Sequence, residues 1–293
     1  MTPQMAHPNG QIEITVGKVC PINCAPHCPQ LKFRKAYVER YGPMAPPVLS
    51  LKAFDRAIES IPEEVDVCLA GFSDPSMNTS CLDMMAHAKS RGHRVALFST
   101  LAYFRVEDVA RLREIDPDEF VPHLPDNLGI AHIPLTPTYK EVLPLVLSTV
   151  KVTGFSQMDA PFVSNQRAGN CDGAPALHVR GPISCKKLDR PEFVLLPNGC
   201  AVLCCMDWGI EHEVGNLLPY RKWDAATRTY ANEETPAQTW NELVNGEEYR
   251  RVRRESWRLD GSSLCRSCTW AQSIVSPWFL KQTMEKAIEK VRA

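Results

Sequence analysis

From Ile12 to about Phe155 short strand-like runs alternate with amphipathic helix-like ones, and no other feature limits the possible fold as much. The strand candidates are IEITVGKV from Ile12, VDVCLAG from Val65, RVALFS from Arg94, EFVPH from Glu119, LGIAHI from Leu128 and VKVTGF from Val150. Between them, SLKAFDRAIESIP has Ser50 as an N-cap, an apolar stripe of Leu51, Phe54, Ile58 and Ile61, and Pro62 as a stop. MNTSCLDMMAHAKSRG ends in Lys89, Arg91 and Gly92, which suits a helix C-terminus, and RVEDVARLREI repeats Val106, Val109, Leu112 and Ile115. Alternating β and α segments imply a parallel sheet, either open and doubly wound or closed into a full or partial barrel. In a barrel, chemistry gathers on the loops that leave the C-terminal ends of strands. The first such loop, KVCPINCAPHCPQ from Lys18, carries Cys20, Cys24 and Cys28.

Past about Pro175 the helical periodicity gives way to short runs broken by Pro and Gly, and this half holds seven of the twelve cysteines when Cys171 is counted at its border. The expected division is 11–175 for the alternating unit, 176–275 for the cysteine-rich unit, and 276–293 for a last helix with Ser276 as N-cap and Pro277 at N1. With 293 residues, 44% of them hydrophobic, the chain can build a proper core. A net charge of -1 gives no global field for nucleic acid or an anionic membrane, and YRRVRR from Tyr249 reads as a solvated helix face. No apolar run approaches the ~20 residues a bilayer requires, and the first ten residues lack the charged and apolar regions of a signal peptide, so a cytoplasmic protein is expected. In a reducing compartment, cysteines at short spacings read as metal ligands rather than disulfides.

Three thiols on one loop leave a tetrahedral metal or a cluster one ligand short, which suits a reactive site with an open position. A structural zinc wants four closed ligands, and His27 is poorly placed to be the fourth because it adjoins Cys28. Zinc and a three-thiolate iron-sulfur cluster both remain open on the residues alone, with the cluster favoured.

A first strand followed by a three-cysteine loop resembles the radical S-adenosylmethionine (radical SAM) enzymes, whose spacing is usually CxxxCxxC; here it is CxxxCxxxC. The resemblance implies that Cys20, Cys24 and Cys28 bind three irons of a [4Fe-4S] cluster, with the fourth iron chelated by the amino and carboxylate groups of S-adenosylmethionine. His27 stands where the family usually has an aromatic residue near adenine. Gly71, Phe72, Ser73 and Asp74 match the Gly-Gly-Glu-Pro-like turn that presents backbone groups to the methionine amine. Ser99 and Thr100 end the third strand where a polar residue approaches the cofactor, and His123 and Asp126 follow the fourth. Asn165, Arg167 and Asn170, in NQRAGN, resemble a late segment that meets the cofactor carboxylate and ribose.

Downstream, Cys185, Gly199 followed by Cys204, GNL at Gly215, Trp240, and CRSC at Cys265 and Cys268 resemble the SPASM/twitch extension of radical SAM enzymes. Four cysteines imply one second, auxiliary [4Fe-4S] cluster. Gly199 allows a tight turn, so that Cys204 can point back toward Cys185. Cys200 and Cys205 are alternatives to Cys204, and Cys171 to Cys185, while Cys68 and Cys81 read as plain buried residues. The implied fold is a partial (β/α)6 TIM-like barrel with a small C-terminal cysteine-rich β-hairpin module. The implied activity is reductive cleavage of S-adenosylmethionine to a 5'-deoxyadenosyl radical that takes a substrate hydrogen. A donor such as flavodoxin or ferredoxin would supply the electron, and the outcome would be oxidation or rearrangement of a small molecule, nucleoside or peptide. The chain resembles twitch-containing dehydrogenases that oxidise a cyclitol alcohol, and the short segment before Ile12 leaves no room for a leader-peptide-binding domain. The alternative is a zinc-stabilised, non-enzymatic binding protein.

Overall fold

The computed structural model describes residues 10–22, 24, 28–127, 129–157, 167–171, 177–258 and 263–273. The expected helix from Ser276 lies outside the described residues, as do His27 and Asn165. The chain opens with β1 (Gln11–Ile14), then α1 (Gln30–Tyr41) and α2 (Leu51–Ile58), followed by β2 (Asp66–Leu69) and α3 (Cys81–Ser90). Next come β3 (Val95–Ser99), α4 (Val106–Ile115), β4 (Glu119–Pro122) and α5 (Pro137–Thr149). The Ser50 hydroxyl caps α2 by accepting from the Ala53 N–H at 3.2 Å, as the capping pattern predicts.

β1 to β4 pair in parallel with neighbouring registers, Ile12 beside Val67 and Leu97 beside Phe120. Residues 153–156 extend this parallel array, because Ser156 bridges His123 and the Thr153 N–H donates to Phe120 O at 2.9 Å. The LGIAHI run is no strand: residues 129–133 form a loop, since Asp126 accepts the N–H groups of Ile130 and Ala131 at 2.8 and 2.6 Å and turns the chain. Two helices escaped the periodicity reading. One is α5, which has Pro144 inside it; the other is α1, whose buried face is Phe33, Tyr37 and Tyr41 rather than an aliphatic stripe.

The cysteine-rich half adds β5 (Ile183–Ser184), α6 (Lys186–Asp189), β6 (Glu192–Leu195), β7 (Cys200–Val202) and β8 (Glu213–Asn216). It continues with the β9 (Tyr220–Asp224) and β10 (Thr229–Thr235) ribbon, α7 (Trp240–Val244), α8 (Glu247–Ser256) and β11 (Gln272–Ser273), which pairs with β5. The main sheet runs β4-β3-β2-β1-β6-β7-β8, so β6 lies parallel to β1 and strands from both halves share one sheet. On one face Ile12, Ile14, Val67, Leu69, Leu97 and Phe120 pack against Phe54, Met85, Leu112 and Val142 of the helices. On the other, α1 buries Phe33 and Tyr37 against Val194, Val202, Phe72 and Trp208. No helix among the described residues is long and apolar enough to cross a membrane.

The turn between β6 and β7 depends on Gly199, whose φ is +87° and where a Cβ would lie 2.3 Å from the Leu218 Cβ. Replacing Gly199 by Ala is expected to lower stability by about 3 kcal/mol, through left-handed strain and displacement of Leu218. Thermal unfolding followed by circular dichroism reads this directly.

Candidate functional site

The cysteine loop leaves the C-terminal end of β1, held by a bridge between Gly17 and Val48 and by the Lys18 N–H donating to Pro47 O at 2.9 Å. Within it, the Cys28 N–H donates to Cys24 O at 2.9 Å and closes one turn. Burial pushes the Cys24 thiol up to about 12, with the neighbouring thiolates of Cys28 and Cys20 adding to the effect. Cys28 rises to about 11, again mainly through burial, with Arg167 working in the opposite direction. Cys24 feels the charge of Cys28 and Cys20, and Cys28 that of Cys20, so the loop brings the three thiols near one another.

The turn after β2 backs this loop. Gly71, at φ +61°, approaches β1 so closely that a Cβ would meet the Thr15 Oγ1 at 2.3 Å and its backbone N at 2.9 Å. The Phe72 N–H donates to Thr15 Oγ1 at 3.1 Å, and the Gly17 N–H donates to Ser73 Oγ at 3.1 Å. The Asp74 carboxylate is buried and accepts from the Ser76 N–H and hydroxyl at 2.9 and 2.6 Å, from the Ser99 hydroxyl at 2.9 Å and from the Thr100 N–H at 2.6 Å. The Asp74 N–H in turn donates to the Cys20 sulfur. With its amide turned so that both its ends are satisfied, Gln30 donates to Phe72 O at 2.7 Å and accepts from the Cys20 N–H at 3.2 Å. The polar atoms of Phe72, Ser73, Asp74, Ser99 and Thr100 named above are thus engaged within the protein, where they hold three strand ends to one loop.

His123 stands beside this network. Burial lowers its pKa, while Asp74 pulls it up and Arg167 pulls it down. The Arg167 guanidinium lies 5.7 Å from the Trp208 ring centre, and Trp208 packs against Phe72 with ring centres 4.7 Å apart and planes tilted by 52°. Asn170 donates to Arg167 O at 2.7 Å and to Met206 O at 2.8 Å, which ties this segment to the cysteine-rich half.

In that half, Cys185, Cys204, Cys265 and Cys268 line one cavity with Lys187, Leu188, Leu203, Met206, Leu264, Trp270 and Ala271. Burial pushes Cys265 up to about 12 and raises Cys185, Cys204 and Cys268 as well; the thiolates of Cys185 and Cys268 add to Cys265. The alternatives face elsewhere. Cys200 packs beside α1 with Asn198 Nδ2 3.3 Å from its sulfur, Cys205 turns toward Glu13, and Cys171 adjoins Cys28. A further pattern marks five of the seven candidate ligands. Cys20, Cys28, Cys185, Cys204 and Cys268 each accept the N–H of the residue two places on, namely Ile22, Gln30, Lys187, Met206 and Trp270. Donors of this kind stabilise bound thiolates and tune clusters. Cys68 is wholly buried and Cys81 sits in a helix, both inside the core.

Neither thiol group closes around a point for a single ion: among the described residues no three His, Cys, Asp or Glu side chains converge in that way.

Three contributors were not singled out in the sequence. Thr15 and Lys187 carry no signal, because their partners are distant in the chain. Arg266 had one, since it sits inside the CRSC knuckle. It is 2% exposed and donates to the carbonyls of Val179 (3.1 Å), Gly181, Glu255 (3.0 Å) and Arg258 (2.8 Å), which clamps the knuckle in place.

No protein-family model matches the sequence, and no curated protein matches it. Among solved structures, BtrN in complex with AdoMet and 2-DOIA matches with a TM-score of 0.57 over 91% of this chain and 94% of that one, at 14% identity. Selenomethionine BtrN in an open conformation matches with a TM-score of 0.54 over 89% and 92%, at 12% identity. Streptococcus suis SuiB bound to the precursor peptide SuiA matches at 0.41 over 89% and 70%, at 10% identity. The architecture is therefore a mixed α/β partial barrel like that of BtrN, with a cysteine-rich C-terminal region.

Replacing Arg266 by Met removes the clamp and leaves buried carbonyls without donors, at an expected cost of about 3 kcal/mol. Chemical denaturation should report that loss.

Proposed function

We propose that this chain is a radical SAM enzyme that oxidises a small-molecule alcohol, with two cysteine-bound clusters in separate roles. The observation that carries the proposal is the pairing of one three-thiol loop at the C-terminal end of β1 with one four-thiol cavity, on a fold shared with BtrN. Cys20, Cys24 and Cys28 would hold a [4Fe-4S] cluster whose fourth iron is left for S-adenosylmethionine, and Cys185, Cys204, Cys265 and Cys268 would hold a second one. When bound, the first cluster and S-adenosylmethionine supply a 5'-deoxyadenosyl radical able to take a hydrogen atom from an unactivated C–H bond, using an electron from a flavodoxin or ferredoxin. The protein's part is placement. The Asp74 network fixes the turn after β2 against the end of β3, and Cys28 packs against the cluster that holds Phe72 and Trp208. His27, Gly71, Phe72, Ser73, Asp74, Ser99, Thr100, His123, Asn165, Arg167 and Asn170 remain the proposed cofactor-side positions.

Four thiols saturate a [4Fe-4S] cluster, so the second site offers no open iron to a substrate and is suited to moving electrons. This favours net oxidation over a redox-neutral rearrangement. The substrate radical would give up one electron and one proton, turning a secondary alcohol into a ketone. A small molecule is favoured over a nucleoside or peptide because the fold is shared across nearly the whole length of BtrN, and that protein was crystallised with 2-DOIA.

Anaerobically purified protein should be brown and carry about eight irons per chain, four per cluster. With reductant and S-adenosylmethionine it should form 5'-deoxyadenosine. Cys24→Ala should abolish that product, and Cys268→Ala should remove about half of the iron. A colourless protein holding only zinc, or a Cys24→Ala variant that still forms 5'-deoxyadenosine, overturns the proposal.

A further inference from the structure

Lys187 is the one lysine among the residues lining the four-thiol cavity, and it is 7% exposed. Its ammonium lies 5.4 Å from the centre of the Trp270 ring, which also lines the cavity. Two carboxylates pair with it, Glu13 of β1 at 3.4 Å and Glu192 of β6 in direct contact. Glu13 also bonds the Cys205 thiol, next to the ligand position Cys204. The backbone N–H of Lys187 donates to the Cys185 sulfur, so the residue serves the cavity with both its main chain and its charge.

A buried trio of charges is a poor source of stability. Taking three ions out of water costs several kcal/mol each, and apolar replacements of such groups are often neutral or better. Here the arrangement has a direction, because Lys187 and the Trp270 ring under its ammonium both line the cavity, whereas Glu13 and Glu192 do not. A positive charge on the rim of a dry, apolar cavity lowers the energy of any added electron there, and in low dielectric the effect is large.

We infer that Lys187 is the fixed charge that biases the auxiliary site toward its reduced state, making that site the electron acceptor for the oxidised substrate. The inference rests on the reading of Cys185, Cys204, Cys265 and Cys268 as the ligands of a second cluster. Lys187 touches neither substrate nor S-adenosylmethionine, so it is a positioning residue that acts through the auxiliary site.

The test uses the Cys24→Ala chain as parent, so that only the auxiliary cluster is present, reconstituted anaerobically and titrated by potentiometry with EPR detection. Lys187→Gln should shift the midpoint downward, lowering the ratio of reduced to oxidised cluster at a fixed potential by about tenfold. Lys187→Arg should restore the parent value, and Glu192→Gln should shift the midpoint upward. An unchanged midpoint in Lys187→Gln overturns the inference, as does a downward shift that Arg fails to reverse. If Lys187→Gln does not take up iron, Glu192→Gln decides, and an unmoved midpoint there is fatal. A parent that holds no four-iron cluster would bring down the auxiliary-site reading itself, which separates that failure from failure of the charge assignment.

Discussion

A single buried carboxylate organises the C-terminal end of the parallel strands. Asp74 follows β2, yet its acceptors are taken by Ser76 in its own turn and by Ser99 and Thr100 at the end of β3, and its N–H supports Cys20 on the loop after β1. Three strand ends and the cysteine loop are therefore referred to one group. A carboxylate at 8% exposure is costly unless each lone pair is engaged, and engaged in this way it is directional and hard to displace. The close contact of Gly71 with Thr15 completes the arrangement, since the turn could not reach Asp74 into place if a side chain stood between it and β1.

The thiols pose the opposite problem. Packed side by side and out of water, Cys24, Cys28 and Cys265 hold their protons well into the alkaline range, because burial and mutual repulsion both oppose the thiolate. On the proposed reading, a cationic cluster core among them would reverse both effects, so that ligation and deprotonation would occur together and the binding energy would become folding energy for the loop and the knuckle. The N–H donors at Ile22, Gln30, Lys187, Met206 and Trp270 are prepared for that charged state. Arg266 performs the same service at one remove, fixing the knuckle through backbone carbonyls of segments that flank it.

Much of the first half was legible because its signals are local. Ser50, the stripe from Leu51 to Ile61, and the apolar cores of β1 to β3 all act within a few residues, so periodicity and capping suffice. Where the signal was weak the reading failed. The buried face of α1 is made of tyrosines and a phenylalanine spaced four apart, and a short apolar run after Leu128 looked like a strand until Asp126 turned out to hold it as a loop. The expected boundary at 176 follows a real change in composition. Strands from both halves nevertheless share one sheet, because β6 finds its partner in β1, far back in the chain.

The sequence by itself determined which cysteines could act together, since spacing along a loop or a knuckle sets reach, and it determined the parallel α/β architecture, since the order of strands and helices leaves few ways to bury both. The tertiary structure alone decided direction. Among Cys200, Cys204 and Cys205 only Cys204 lines the cavity, because the strand and turn after Gly199 aim adjacent side chains at different neighbours: α1, the cavity, and Glu13. It also decided that Lys187 and Asp74 would matter, for their partners lie 174 residues away at Glu13 and 25 away at Ser99. Pairing at that distance is set by packing, which no local pattern encodes.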